Sequence, residues 1–286
     1  MMQVIYKKRC IIGESPVWND FENCFYFLDA TLKEIYKIDL SGRSVQLRRV
    51  KAGCNALCFD NENRLIVSRE DGVYYLNVDD SIEPLYDTNK YKIINANDMK
   101  VGPNGSIDVG TISGLKKGVS SEVDGKLYRI DKFGKVSVLL DNLTVSNGMA
   151  WSKDGKKFYH TDSITGYIKE YHFNIDSGDI AYTGRRVFLA GVDGFTIDSN
   201  DRLIVPRWDD KKLSVVDTLN MEVVEEIKVP LASPVSCCFG GIDLKSLMVV
   251  TANYDTDISV DKNAGYTFLI NREVGGISPF RFNSGR

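Results

Sequence analysis

The residues Ser146-Asn147-Gly148-Met149-Ala150-Trp151-Ser152-Lys153-Asp154-Gly155 decide the fold, because the chain repeats their pattern. A polar side chain, Asn147, stands at the head of a short apolar run, and a Ser-Lys-Asp-Gly turn ends that run. The next residues, 157–163, form a second strand-like run. Two such runs joined by a tight polar turn are typical of a β-hairpin.

The same pattern occurs along the whole chain. Five-residue windows that end just before a polar turn are Glu14–Trp18, Asn55–Phe59, Asn97–Val101, Asn147–Trp151, Asp193–Ile197 and, more weakly, Val235–Phe239. Successive windows begin about 41 to 50 residues apart, which is the period of propeller blades. Five of the six windows begin with Glu, Asn or Asp.

Further strand-like runs follow most of these hairpins, and no stretch shows a sustained helical period. The repeat count therefore predicts an all-β fold, a six-bladed β-propeller formed as a single domain by residues 1–286. Residues 3–6 and 266–270 are expected to share one blade and close the ring. A pair of β-sandwiches is the alternative, but it would not explain the steady period.

Composition narrows the classes of function. The 286 residues are 43% hydrophobic and carry a net charge of −3, which argues against a nucleic-acid partner. The first nine residues lack an apolar signal core, and no run of about 18 apolar residues occurs, so we expect no membrane partner and a cytoplasmic location. The six cysteines lack paired spacing and are expected to be reduced thiols.

The polar heads predict a central metal site. In a propeller the first strand of each blade lines the central channel, so copies of one position form a ring. Glu14, Asn55, Asn97, Asn147 and Asp193 would converge at the channel mouth, and their two carboxylates would repel one another without a cation. The alternative is that these Asn and Asp side chains cap turns, their commonest use.

The motifs also resemble a known family. In order they are Gly13–Trp18, Asn97–Val101 leading to Gly110-Thr111, Ser146–Ser152, Asp162-Ser163, Val192–Gly194 and Ser233–Gly241. Together, and over essentially the whole length, they resemble the senescence marker protein/regucalcin/gluconolactonase family. That resemblance implies a six-bladed propeller, with a metal held by Glu14, Asn147 and Asp193 and with Asn97 facing the substrate.

The chemistry expected of such a site is lactone hydrolysis. A divalent cation polarises the lactone carbonyl, and Asp193 is the candidate general base for the attacking water. A mixed carboxylate and amide oxygen set admits calcium, magnesium, manganese and zinc alike. A serine nucleophile is poorly supported because the chain has no GxSxG motif. The only two histidines, His160 and His172, lie in strand-like runs and are expected to be structural.

The sequence departs from the best-known family members near the substrate. Asn95 stands where they place an arginine, and the loop residues Ser113–Lys117 lack their acid. We hypothesise that Arg69 or Arg207, on neighbouring links at the rim, supplies the missing positive charge and binds substrate together with Asn95. Residues 112–124 form the longest rim link, either a mobile lid or a variable surface loop.

Three functions remain open at this point. A metal-dependent lactonase with a small-molecule sugar lactone as substrate leads. A phosphotriester or fluorophosphate hydrolase uses a similar metal-centred propeller, but it would favour apolar ester groups. A non-enzymatic calcium-binding or regulatory protein would hold the metal without turnover. The oligomeric state has no signal in the sequence.

Overall fold

The computed structural model describes residues 2–43, 45–50 and 53–285. The chain forms two compact units, one from Met1–Gly53 and Leu189–Pro279, the other from Cys54–Phe188 and Phe280–Arg286. Within the described residues, each unit contains three antiparallel sheets of four strands. We call them the first and the second unit. The prediction that residues 1–286 form a single domain stays a prediction.

The first unit contains three sheets, and the strands of each sheet are named here in the order in which they are hydrogen-bonded. One sheet has β2 (Gly13–Asn19), β3 (Cys24–Asp29), β4 (Glu34–Ile38) and β5 (Val45–Arg49). The next has β18 (Thr196–Ile197), β19 (Arg202–Arg207), β20 (Lys212–Asp217) and β21 (Glu222–Lys228). The last has β22 (Ser233–Gly240), β23 (Ser246–Ala252), β24 (Thr267–Asn271) and β1 (Met2–Tyr6).

The second unit contains the other three sheets. They are β6 (Ala56–Phe59), β7 (Leu65–Arg69), β8 (Gly72–Leu76) and β9 (Ile82–Pro84); β10 (Ala96–Val101), β11 (Ile107–Thr111), β12 (Gly125–Ile130) and β13 (Val136–Leu143); and β14 (Ser146–Trp151), β15 (Lys157–Asp162), β16 (Tyr167–Phe173) and β17 (Ile180–Phe188). A four-residue helix, α1 (Gly114–Lys117), follows β11. Within the described residues, no helix has the length and hydropathy needed to cross a membrane.

These six sheets are the blades of a six-bladed β-propeller, and the predicted fold class is confirmed. Five blades are consecutive up-and-down runs, and the sixth combines the two ends of the chain. There β1 pairs antiparallel with β24, Met2 opposite Ile270 and Val4 opposite Phe268. The predicted shared blade is therefore confirmed. In this blade β1 is the outermost strand, and β24 lies between β1 and β23.

The blade strands differ in burial according to their place in the sheet. The third strand β8, Gly-Val-Tyr-Tyr-Leu, is buried at all five positions, as expected for a strand covered on both faces. The fourth strand β21, Glu-Val-Val-Glu-Glu-Ile-Lys, is exposed at six of its seven positions. Charged side chains on such an outer strand oppose pairing with another chain.

The polar turns after the first strands β6 and β18 contain the same hydrogen bonds. In the second unit Asp60 Oδ1 accepts from the backbone N–H of Arg64 at 2.8 Å, and Arg64 Nε donates to Asp60 Oδ2 at 2.7 Å. In the first unit Asp198 and Arg202 make the same pair of contacts, at 3.0 and 2.8 Å. The internal repeat that the sequence predicts therefore includes its turn chemistry.

One predicted strand is shorter than expected. The pattern predicts a strand throughout the window Asp193–Ile197, but β18 contains only Thr196 and Ile197. Val192 pairs separately with Arg207, so Asp193, Gly194 and Phe195 lie between two paired positions. Asp193 therefore comes before the strand proper.

Candidate metal and substrate site

The first strands of the first unit are irregular at their polar heads. On β2, Glu14 is opposite Leu28 and Val17 is opposite Tyr26, so β2 has one residue more than β3 over this interval. The extra residue is a β-bulge, and Ser15 within it has a φ of 48°. The Ser15 N–H donates to Glu14 Oε2 at 3.2 Å.

The same irregularity occurs before β18 and on β22. Three residues lie between Val192 and Thr196, but only two lie between their partners Arg207 and Ile204, so the segment that holds Asp193 also bulges. On β22 the shift falls between Pro234 and Ser236. All three first strands of the first unit therefore bulge at the head, and Glu14 and Asp193 are half-buried there.

Two first strands of the second unit bulge at the corresponding place. On β10 the register shifts between Ala96 and Met99, which places Asn97 and Asp98 in the bulge. On β14 it shifts between Asn147 and Met149, and the intervening Gly148 has a φ of 39°. Such bulges turn side chains away from the regular alternation of a strand.

The third first strand of this unit, β6, has a regular register from Ala56 to Phe59. Asn55 precedes it, with its backbone N–H bonded to Ser68 O at 2.9 Å. The predicted ring of five equivalent heads thus contains one member, Asn55, in a different backbone setting. This difference separates Asn55 from Asn97 and Asn147, which the resemblance also singled out.

Side chains near the heads connect neighbouring blades within the second unit. Asn55 Nδ2 donates to Ala96 O at 2.6 Å, and Asn97 Nδ2 to Ser146 O at 3.4 Å. Lys100 Nζ donates to Met149 O at 2.9 Å. Asn55 and Asn97 therefore tie adjacent strands together rather than capping their own turns. The structure brings Asn97 next to the strand that carries Asn147, which is 7% exposed.

Asp98, beside Asn97, has an unusual environment that the sequence did not single out. Its Oδ1 accepts from the Met99 N–H at 2.8 Å, and its Oδ2 is buried without a hydrogen-bond partner among the described residues. Burial raises the pKa of this carboxyl, against the opposing effects of Lys100 and the N–H groups of Met99 and Gly148. A buried carboxyl oxygen of this kind needs an additional polar partner, such as water or an ion.

A buried serine and histidine support the head of β14. Ser146 Oγ lies 2.8 Å from His160 Nε2, and the two residues are 0% and 2% exposed. Burial, with a smaller effect of Lys169, lowers the pKa of His160 to about 3. The ring is therefore neutral near pH 7, and its environment is that of the structural histidine that the sequence predicts.

Arg69 and Arg207 each form an ion pair with an acidic residue two or three positions further along the chain. Arg69 forks onto Asp71, with Nε–Oδ1 and Nη2–Oδ2 distances of 3.0 and 3.1 Å. Arg207 pairs with Asp210 and donates from Nε to Ala190 O at 3.1 Å. The hypothesis that either arginine binds substrate stays a prediction.

The predicted donor set fits a hard divalent cation better than a soft one. Among the described residues no group of three or more His, Cys, Asp and Glu side chains forms a metal-binding cluster. The predicted set has only two carboxylates, because its third member is an amide. Oxygen donors on bulged strand heads, with a buried carboxyl oxygen of Asp98 in need of a partner, fit a hard divalent cation.

These features define the class of protein as a six-bladed propeller with polar side chains at the heads of its first strands. The family model described as "SMP-30/Gluconolactonase/LRE-like region" matches residues 12–253, and the chain belongs to this family. The "Putative sugar lactone lactonase YvrE" of Bacillus subtilis is 29% identical over 288 residues, covering 96% of each chain. Regucalcin of Gallus gallus is 26% identical, covering 98% of each chain.

A solved structure agrees with this assignment at the level of the fold. The calcium-binding protein regucalcin from Agrobacterium tumefaciens superposes with a TM-score of 0.86 and 19% identity, covering 98% of this chain and 96% of that one. At this identity the likeness concerns the fold alone. The predicted family is thus confirmed, while the roles of Glu14, Asn97, Asn147 and Asp193 stay predictions.

Proposed function

We propose that this protein hydrolyses a sugar-type lactone at a site where Glu14, Asn147 and Asp193 hold one divalent cation. Family membership supports a small-molecule lactone as substrate, as does the lactonase name of the relative from Bacillus subtilis. The calcium-binding description of the regucalcin from Agrobacterium tumefaciens supports a divalent cation.

The observation that carries the proposal is the repeated bulge. One extra residue occurs at the head of β2, β10 and β14 and before β18, where Glu14, Asn97, Asn147 and Asp193 lie. A bulge leaves a residue unpaired and is costly to repeat without a purpose. Asn97 and Asp193 lie within the bulged segments, whereas Glu14 and Asn147 are paired and directly precede the extra residue. The bulges therefore alter the backbone next to each of these side chains.

In the proposed reaction, a bound cation would polarise the lactone carbonyl and stabilise the negative charge that develops on its oxygen. Asp193 would accept a proton from the attacking water, because a half-buried carboxylate can act as a general base. Asn97 would orient the substrate through its side-chain amide, whose nitrogen is already positioned by Ser146 O. Asp98 would hold the Met99 N–H of the β10 bulge in place.

Turnover of a small lactone panel, followed by proton release, tests the proposal. The purified protein is assayed with D-glucono-δ-lactone and related lactones after chelation and after addition of calcium, magnesium, manganese or zinc. We expect turnover that is lost on chelation and restored by a metal. Asp193→Asn should lower kcat by about 100-fold or more, the effect typical of a lost general base.

The control is Asp176→Asn, which removes the same charge from an exposed turn between β16 and β17. It should keep kcat within about twofold, a range expected for a surface change. Absence of turnover on every lactone with every metal would refute the proposal. Hydrolysis of a phosphotriester or fluorophosphate in that case would support the second enzyme class, and a tightly bound ion without turnover would support a binding role.

A further inference from the structure

Lys117 brings an amino group to the position where the chain lacks the family's arginine. Its Nζ lies 3.3 Å from Asn95 Oδ1 and 2.6 Å from Glu70 Oε1. The Lys117 side chain is 31% exposed and the Glu70 side chain 75% exposed. An ammonium, an amide and a carboxylate thus meet at one place on the surface of the second unit.

The backbone of Asn95 holds this cluster together. Its N–H donates to Glu70 O at 2.6 Å, and its carbonyl accepts from the Ile112 N–H at 2.9 Å. Asn95 therefore connects the link after β7 with the link after β11, and each link supplies one charged member. Asn95 has a φ of 58°, a conformation that asparagine adopts more readily than most residues.

The short helix α1 fixes the backbone position of Lys117. Ser113 Oγ accepts from the Lys116 N–H at 3.3 Å at the start of α1, and Gly118 ends the helix with a φ of 73°. Asp124 Oδ1 accepts from the Gly114 N–H at 2.7 Å and closes the loop. Because the loop is hydrogen-bonded at both ends, these contacts hold the backbone at Lys117 in position.

We propose that Glu70, Asn95 and Lys117 form a subsite that binds hydroxyl groups of a polyhydroxylated ring, and this inference rests on the proposed function. A hydroxyl group both donates and accepts hydrogen bonds. An exposed ammonium beside a carboxylate and an amide offers both kinds of partner. Asn95 lies two residues before Asn97, so the subsite adjoins the expected position of the lactone ring.

This subsite offers a source of the missing charge besides the two arginines. Arg69 directs its guanidinium into a fork with Asp71, and Arg207 is engaged by Asp210 and Ala190 O. Lys117, in contrast, contacts Asn95 itself. The chain therefore keeps a cation and an acid at this place, but it supplies them from α1 and from the link after β7.

A binding measurement tests the subsite without relying on turnover. The probe is 1,5-anhydro-D-glucitol, a hydroxylated six-membered ring without a carbonyl, and titration calorimetry gives its Kd. Lys117→Met should weaken binding about tenfold, because a hydrogen bond to a charged group is lost. Lys117→Arg, which keeps the charge, should stay within about threefold, and so should Lys116→Met on the same helix, which removes a charge outside the cluster.

A turnover measurement separates the subsite from the proposed function. Lys117→Met should lower kcat/KM for D-glucono-δ-lactone about tenfold more than for δ-valerolactone, which has no hydroxyl groups. Equal losses on both lactones, an unchanged Kd for the probe, or an equal effect of Lys116→Met would overturn the subsite. Lys117-dependent binding of the probe in a protein that turns over no lactone would support the subsite and reject the lactonase.

Discussion

The buried His160 predicts how the stability of this protein depends on pH. In the folded protein its pKa is lowered to about 3, from an ordinary value of 6.5, by burial and by Lys169. As the pH falls below 6.5, the unfolded chain binds a proton that the folded protein does not bind. The stability that depends on a neutral His160 is therefore fully present above pH 6.5 and is lost progressively toward pH 3.

The magnitude follows from the two pKa values. Between about pH 8 and pH 5 the free energy of unfolding should fall by about 2 kcal/mol through His160 alone. The result is insensitive to the folded value, provided that value lies well below about 5. The chain has only two histidines, and the other, His172, is exposed on β16, so it serves as the control position.

The assay is urea unfolding at the two pH values for three proteins. Wild type and His172→Gln should both lose about 2 kcal/mol on going to about pH 5, whereas His160→Gln should lose little. The comparison concerns the pH dependence, so a general destabilisation by His160→Gln does not affect it. Equal losses in wild type and His160→Gln would refute the assignment of a buried neutral histidine.

Three further outcomes are expected. Asp108→Ala should cost about 3–5 kcal/mol in urea unfolding, because it leaves the buried Arg129 guanidinium without the carboxylate that it contacts twice at 2.6 Å; a loss below about 1 kcal/mol would contradict this. Gly110→Ala should cost about 1–3 kcal/mol, since its Cβ would lie 2.5 Å from Ser146 Oγ, and an unchanged urea midpoint would show that the strand can yield. A metal at about a hundredfold excess over its Kd should stabilise wild type by about 2.7 kcal/mol in thermal unfolding and Glu14→Ala much less, and equal stabilisation would exclude Glu14 as a ligand.

The sequence was sufficient for the fold because its signals are local. Each blade begins with a polar head, an apolar run and a polar turn, and these recur at a steady spacing. The strand-like runs that follow the hairpins include residues 34–38 and 72–76, which are β4 and β8 in the structure. The closing pair also followed, since a propeller with strands left at both ends can complete its last blade only by joining them.

The bulges at the heads were beyond sequence reasoning, because a bulge is a property of two strands. Asn147-Gly148 and Asp193-Gly194 look alike in sequence, yet Gly148 has a φ of 39° while Gly194 is close to a neighbouring side chain. A Cβ on Gly194 would lie 2.5 Å from Ser236 Oγ. The two glycines thus meet different requirements, one of backbone conformation and one of space.

The position of the positive charge near Asn95 was equally hidden, for a different reason. The sequence placed Arg69 and Arg207 on rim links, but the choice of partner depends on acids two and three residues away, Asp71 and Asp210. Lys117 belongs to a basic pair that looks like ordinary surface. Its contact with Asn95 depends on the path of a loop closed by Asp124.

The conformation of Asn95 links this loop to the absence of the family's arginine. Asn95 has a φ of 58°, and asparagine suits this backbone because its short polar side chain can hydrogen-bond locally. Its short amide reaches Lys117 Nζ instead of presenting a charge of its own. Asn95, which stands where the family members are expected to have an arginine, thus also contacts the ammonium group of Lys117 on α1. In the proposed subsite Lys117 therefore supplies the cation and Asn95 holds it in position, which the Lys117 variants test.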